Sequence, residues 1–345
     1  LNSHRIIRAL IGALVLVAAL AVISCDERNE ADIPPVVYTL KHNIVTAGVA
    51  QYVSLQEDLL AVAATRAGTY VYNVSNPNSP EEVFHFTPPG ELYSIFAAID
   101  AVNGLVFTVA EPDVAFGDKY PIHDLATGER IGGATFSGGS QEVALVTSDG
   151  EFTAWRTDQS AGDGLAGSSY CFNADSGQWL PTYCTFFNNS YIPAFSKLRG
   201  FDVNDSLFVI AHNNYEVRIF NSLTGHLSQP ALTPGDPQDC AWYGDYILIA
   251  DNFYLTVLNA SEIDTPVVVK SMAIPGADRL QRIVVDGDHA VILDDADGLY
   301  VVNVADPMNP VLEQTISLPE PTYVTAYNGT MVASDEQLGV LIYQR

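Results

Sequence analysis

Seven short runs of mainly apolar residues, "VAAT", "TVAE", "WRT", "VIAH", "LIAD", "ILDD" and "VASD", close at Thr65, Glu111, Thr157, His212, Asp251, Asp295 and Asp335. Asp251, Asp295 and Asp335 are hard oxygen donors, and carboxylates on adjoining loops suit Ca2+. With His212 and Glu111 they would also supply the acid and base of a divalent-cation-dependent hydrolase or lyase. Arg66, Arg199, Arg279 and Arg282 lie close in sequence to these positions and could balance the acids or hold an anionic ligand. The plainer reading is that each aspartate caps its own turn by accepting backbone N–H bonds. No single loop has the D-x-D-x-D-G spacing of a self-contained calcium loop. Catalysis therefore requires that residues from several runs meet within a few ångströms of one point.

Other chemistry is sparsely encoded. There is no G-x-S-x-G, H-E-x-x-H or C-x-x-C. Gly162-Asp163-Gly164-Leu165-Ala166-Gly167 fits G-x-G-x-x-G formally, but that fingerprint needs a following helix to receive a pyrophosphate, and none is indicated. Cys171 and Cys184 flank the turn at "ADSGQ" and form a candidate disulfide, although their offset from the turn is uneven. Cys240 is left over and is expected to be buried.

What would position these residues is a repeated strand pattern. "TYVYNVSNPNSP", "YPIHDLATGE", "SYCFNADSGQ", "VRIFNSLTGH", "LTVLNASEIDTP" and "LYVVNVADPMNP" each end an apolar run at Asn73, Asp124, Asn173, Asn221, Asn259 and Asn303, and "LGVLIYQR" aligns with Tyr343 at that place. An Asx side chain at a strand end can accept from the backbone two residues on, and the following Pro or Gly supplies the φ of the turn. Each terminator is flanked by further strand-like runs, giving four antiparallel strands per roughly 45 residues. Helical periodicity is almost absent. The expected fold is all-β, a seven-bladed β-propeller of four-stranded blades at about residues 49–90, 91–139, 140–189, 190–235, 236–276, 277–321 and 322–345. The seventh copy has only three strands, and an open seam would leave an unpaired edge. Residues 36–46 read as the missing strand, so the last blade is expected to be closed from the N-terminal side. Residues 36–345 are then a single domain. In such a meander the connections between second and third strands emerge on one face, which gathers the seven runs at the mouth of the channel.

"GLYVVNVADPMNPV" and "GTYVYNVSNPNSPE" resemble the bacterial LVIVD repeat, with its glycine, alternating apolar strand and Asx-Pro turn. The copies at Asn259 and Tyr343 are similar in part, while residues 104–235 carry a Thr-Gly or Ser-Gly turn instead. The resemblance implies an envelope-associated propeller, often a lipoprotein, with no general catalytic assignment.

The first residues agree with that implication. Arg5 and Arg8 precede "ALIGALVLVAALAVIS", an apolar stretch of signal-peptide length, so residues 1–24 read as a leader. Val22-Ile23-Ser24-Cys25 resembles a lipobox, which makes Cys25 the expected lipidation site; the alternative is a transmembrane anchor with an incidental cysteine. Residues 25–35, "CDERNEADIPP", read as an acidic, proline-stiffened tether. Its acidic start is compatible with either a periplasmic or a surface-exposed position.

The chain carries 41 acidic against 15 basic residues, a net charge of −26. Nucleic-acid affinity comes from cations that displace counterions, so nucleic-acid binding is excluded. The expected localisation is the bacterial cell envelope, with the membrane reached through the lipid and a protein or glycan of the envelope as partner. The expected function is a non-enzymatic binding or scaffolding module, and the alternative is the cation-dependent hydrolase or lyase at the channel mouth.

Overall fold

The computed structural model describes residues 37–87, 93–111, 120–134, 140–148, 151–158, 164–173, 178–182, 198–212, 214–221 and 224–345, with side chains at 109–120 and 132–198 left out. The leader, Cys25 and the tether lie outside the described residues. So does Cys184.

Among the described residues the chain forms seven antiparallel sheets, six of four strands and one of five. The first sheet runs Tyr52–Gln56, Leu59–Ala63, Thr69–Asn73 and Glu81–Phe86. Its second and third strands are apolar at nearly every position because neighbouring sheets cover both faces, whereas Glu81–Phe86, the outermost strand, is half to fully exposed. The sixth sheet repeats the pattern with Leu280–Asp286, His289–Asp294, Gly298–Asn303 and Val311–Ser317. The first strands of successive sheets lie side by side in chain order, and Pro321–Tyr327 lies against Tyr52–Gln56. Between sheets the core is a series of layers, as where Val53, Leu60 and Val62 meet Val332, Val340 and Ile342.

The terminators act as turn caps. Asn73 Oδ1 accepts from Ser75 N at 2.9 Å, Asn259 Oδ1 from Ser261 N at 2.9 Å, and Asn303 Oδ1 from Ala305 N at 3.0 Å. In the last sheet that register belongs to Gln344 and not to Tyr343: Gln344 lies opposite Thr330 as Asn303 lies opposite His289, and Tyr343 is buried. The glycine that opens the third strand also has a physical role. Gly298 has φ +115°, and a Cβ there would stand 2.1 Å from the carbonyl oxygen of Ile316. Only a residue without Cβ lets the third and fourth strands start this close.

The five-stranded sheet departs from the pattern at its outer edge. Glu216–Asn221 pairs with two short pieces, His226–Leu227 and Ala231–Leu232. Ser228-Gln229-Pro230 separates them, and Pro230 has no N–H to give to the ladder.

The strand Thr39–Ile44 pairs antiparallel with Gly339–Gln344, from Thr39 opposite Gln344 to Ile44 opposite Val340. The sheet so made runs Thr39–Ile44, Gly339–Gln344, Thr330–Asp335, Pro321–Tyr327. Tyr38, just ahead of it, is 1 % exposed. Its O–H donates to Asp286 Oδ2 at 2.5 Å, and burial is the main cause that pushes the phenol well above its ordinary range. Gln314 grips the same segment as a peptide group would: its Oε1 accepts from Val37 N and Tyr38 N, and its Nε2 donates to Tyr38 O.

Candidate functional site

Four of the expected positions share one register. Glu111, His212, Asp251 and Asp335 each end the second strand of a sheet, opposite the first residue of the first strand: Tyr93, Leu198, Pro237 and Pro321. In the sixth sheet that place, opposite Leu280, belongs to Asp294. Asp295 is one residue beyond it. It pairs with Arg279 on the surface, so the expected arc of Asp251, Asp295 and Asp335 is corrected to Asp251, Asp294 and Asp335. In the first sheet that place, opposite Tyr52, belongs to Ala63, and Thr65 lies two residues beyond it in a left-handed turn position at φ 46°.

The three aspartates at this register, Asp251, Asp294 and Asp335, are fully buried. Asp294 Oδ2 accepts from Asp278 N and Arg279 N, both at 2.9 Å, while its Oδ1 accepts from Ala296 N and Asp297 N at 2.9 and 3.2 Å. One oxygen therefore holds the chain arriving from the preceding sheet, and the other closes the local hairpin. Asp335 does the same, with Glu320 N on Oδ2 and Gln337 N and Leu338 N on Oδ1. Asp251 accepts from Thr233 Oγ1, Gly235 N and Thr256 Oγ1. Burial raises the Asp251 pKa against the lowering effect of these three donors. Lone pairs occupied by backbone N–H groups are not offered to a cation. Among the described residues no group of three or more His, Cys, Asp or Glu comes together in an arrangement that could hold a metal. Asp251 and Asp335 each accept from donors at a separate junction, and Asp295 is ion-paired with Arg279.

His212 is fully buried at the end of Leu207–His212, opposite Glu216. Desolvation is the largest cause of its lowered pKa, which falls to about 4, while Glu216 raises it and Arg218 lowers it further. The ring is thus neutral at pH 7. Because the folded pKa lies below the ordinary 6.5, the unfolded chain takes the proton first between those values. The stability this histidine contributes is present above about pH 6.5 and is lost as pH falls toward 4, by about 3 kcal/mol from its shift. Thermal or denaturant unfolding between pH 7 and 4 should show this loss, and His212→Phe should flatten that part of the profile. An unchanged slope in the variant would remove His212 as its source.

The arginines are committed to neighbours. Arg66 donates to Tyr93 Oη at 2.5 Å and lies 4.9 Å from the centre of that ring. Arg199 bridges Asp236 at 3.0 Å and also donates to Gln238 Oε1. The side chains of Glu111 and Cys171 lie outside the described residues. Cys240 is a buried thiol whose Sγ donates to Val209 O at 3.6 Å. The second half of the formal G-x-G-x-x-G stretch belongs to the strand Gly164–Asn173, so it does not open a helix.

The residues with access to an internal space are on the first strands. They line a cavity of about 450 Å³ that includes Tyr52, Asp202, Asp239, Trp242, Arg282 and Tyr323. At one level the side chains touch from sheet to sheet. Arg282 stands 4.0 Å from Asp239 and 4.9 Å from the centre of the Tyr323 ring; Tyr323 packs on Tyr52 at 3.8 Å, and Tyr52 on Phe96 at 4.1 Å. This belt is charged on one side and aromatic on the other. Polar groups also fasten neighbouring sheets: Asp202 Oδ2 accepts from Trp242 N at 2.8 Å, Asp239 Oδ2 from Ile283 N at 3.1 Å and Gln56 Oε1 from Ala101 N at 2.8 Å. Desolvation raises the Asp202 pKa against its two backbone hydrogen bonds. Of the cavity's residues only Arg282 was expected at a site from sequence. Asp202, Asp239, Tyr52 and Tyr323 were missed because isolated polar or aromatic residues in "FDVN", "PQDCAWY", "YVSLQ" and "PTYVTAY" carry no motif.

Residues 47–87, 234–273 and 279–317 match the LVIVD repeat, so the chain carries LVIVD repeats in three stretches, over its first, fifth and sixth sheets. Among solved structures, the chain is similar to one in the Mitotic Checkpoint Complex, with a TM-score of 0.63 and 12 % identity over 92 % of this chain and 97 % of that one. It is similar to Saccharomyces cerevisiae Sqt1 with a TM-score of 0.63 and 11 % identity, over 89 % and 98 %. It is similar to the computationally designed Ika8 protein with a TM-score of 0.54 and 11 % identity, over 86 % and 83 %. At these identities the likeness is one of fold, of the WD40 and propeller type. No curated protein matches the chain.

Proposed function

We propose that the chain is a seven-bladed β-propeller, its last blade closed by the N-terminal strand, that is held in the bacterial cell envelope by a lipid on Cys25 and acts as a non-enzymatic binding or scaffolding module. The blade count is supported by seven sheets whose first strands adjoin in order, with Thr39–Ile44 in the last. The anchor rests on Arg5, Arg8, the apolar run and Cys25 in the sequence. LVIVD repeats favour the envelope reading, and a protein or glycan of the envelope is the partner it implies.

The observation that carries the scaffold over the hydrolase or lyase is the use of the carboxylates. Asp294 and Asp335 spend their oxygens on backbone N–H groups, and His212 is a buried neutral ring. A cation-dependent active site would need those oxygens and that ring exposed to substrate. The test assays the full chain against glycan, lactone and ester panels, with calcium and with chelator. No turnover is expected in either condition. Turnover abolished by chelator would replace the scaffold with the enzyme.

The anchor is tested separately. Cys25→Ser is expected to move the protein into the soluble or uncleaved-precursor fraction, because a lipid chain holds a protein at a bilayer through roughly 0.8 kcal/mol per buried methylene. Unchanged detergent-requiring membrane association with a processed N-terminus would remove the lipoprotein reading.

A further inference from the structure

The segment that completes the last sheet is secured by a chain of side chains in which one imidazole occupies the middle. His289 Nε2 lies 3.0 Å from Glu313 Oε2, and Glu313 Oε1 accepts from Asn303 Nδ2 at 3.0 Å. His289 Nδ1 lies 2.9 Å from Arg345 Nη1. Arg345 Nη2 reaches Asp286 Oδ2 at 3.2 Å, and its guanidinium carbon stands 5.8 Å from the centre of the Tyr38 ring. Asp286, 5 % exposed, also accepts from Tyr38 Oη and from Gly329 N. The order is therefore Glu313, His289, Arg345, Asp286, Tyr38.

A guanidinium can only donate, so Nδ1 of His289 must be the bare nitrogen and Nε2 must carry the hydrogen that Glu313 accepts. This arrangement admits one protonation state. A second proton would put an N–H on Nδ1, facing the N–H of Arg345, and would set two cations against each other. The charged and titratable groups around the ring are Glu313 and Asp286 on its own sheet, Arg345 from the last sheet, and Asp288 in the adjoining turn, where it accepts from Tyr243 Oη at 2.9 Å. Glu313 would hold the imidazolium where it is, so Arg345 is the partner that must leave. Its departure takes the cation from the carboxylate that binds Tyr38.

We propose that His289 is a proton-operated latch on this seam: neutral, it holds Arg345 against Asp286 and keeps Thr39–Ile44 docked; protonated, it expels Arg345 and lets that strand open. The device would make the attachment of the N-terminal strand responsive to acid, independently of what the protein binds.

The test is hydrogen exchange of the full chain from pH 7.5 to 5, with rates corrected for the intrinsic pH dependence of exchange and expressed as opening equilibria. Amides of 39–44 should open about tenfold more often at the acid end, the order expected for losing one charge-assisted hydrogen bond. Amides of 246–251, in the fifth sheet, report global unfolding and should rise with acid by the His212 loss alone, to the same extent in the wild type and in His289→Gln. His289→Gln should remove the acid response at 39–44. That variant retains His42, which lies in the strand itself, and His212, so a response that survives it would assign the effect elsewhere and overturn the latch. Equal opening of 39–44 at both pH values in the wild type, or an acid response at 246–251 that His289→Gln also removes, would overturn it as well. Glu313→Gln supplies a second variant: without the carboxylate that steadies the imidazolium, the midpoint should move to lower pH.

Discussion

Removal of residues 1–47 is expected to lower the melting temperature sharply, and Tyr38→Ala alone to cost about 3–5 kcal/mol, the range for deleting a buried large aromatic. Deletion strips the ladder partner from Gly339–Gln344 and uncovers Val340 and Ile342, which are otherwise fully buried. It also leaves the Asp286 carboxylate, 5 % exposed, without the Tyr38 hydroxyl. Tyr38→Phe separates these effects, since it keeps the packing and removes only the donor; about 1–3 kcal/mol is expected for that bond to a charged acceptor. Denaturant unfolding of the three variants beside the wild type measures the series. Wild-type stability in the truncated chain would mean that Thr39–Ile44 does not close the last sheet in solution.

Asp294→Ala should be among the most damaging single changes in the molecule, and Asp295→Asn next to it nearly silent. The first orphans four backbone N–H groups at a junction between two sheets, for which a loss of about 3 kcal/mol or more is expected. The second weakens an ion pair to Arg279, whose side chain is 57 % exposed, and pairs of that kind contribute about 1 kcal/mol or less. Calcium at matched ionic strength should leave the wild-type melting temperature unchanged, because Asp251, Asp294 and Asp335 already accept from backbone N–H and hydroxyl donors around them. Equal effects of the two substitutions would put the register of His289–Asp294 in doubt. A rise in melting temperature with calcium would reopen the cation site.

The strand plan was legible wherever a residue type is dictated by backbone geometry. Asn73, Asp124, Asn221, Asn259 and Asn303 sit at strand ends because an Asx cap is what those turns need. The slip from Asp294 to Asp295 has an identifiable cause. "ILDD" offers two acids in a row, and alignment by composition cannot choose between them. The glycines could have chosen: Gly339 follows Asp335 as Gly298 follows Asp294, each pair facing the other across the hairpin. The belt of Asp239, Arg282, Tyr323, Tyr52 and Phe96 was not legible, because its members are neighbours only through the packing of different sheets. A periodic pattern reports which face of a strand is covered. It does not report which residue of the next sheet lies beside it.

The pairing of Thr39 with Gln344 also has a bearing on how the chain comes to be folded. The Thr39 hydroxyl donates to the Gln344 carbonyl across 305 positions of sequence. Synthesis therefore produces Thr39–Ile44 long before its ladder partner. Six sheets can assemble from contacts within about 50 residues, but the seventh waits for the longest loop in the molecule to close, the kind of step that slows folding most. Until then Thr39–Ile44 has no partner, Tyr38 has no pocket, and Gly339–Gln344 presents an open edge to other chains. A pulse-labelled folding intermediate should show the sheets of 246–251 and 289–294 protected while 39–44 still exchanges, and chaperones would find their clearest target in that open edge.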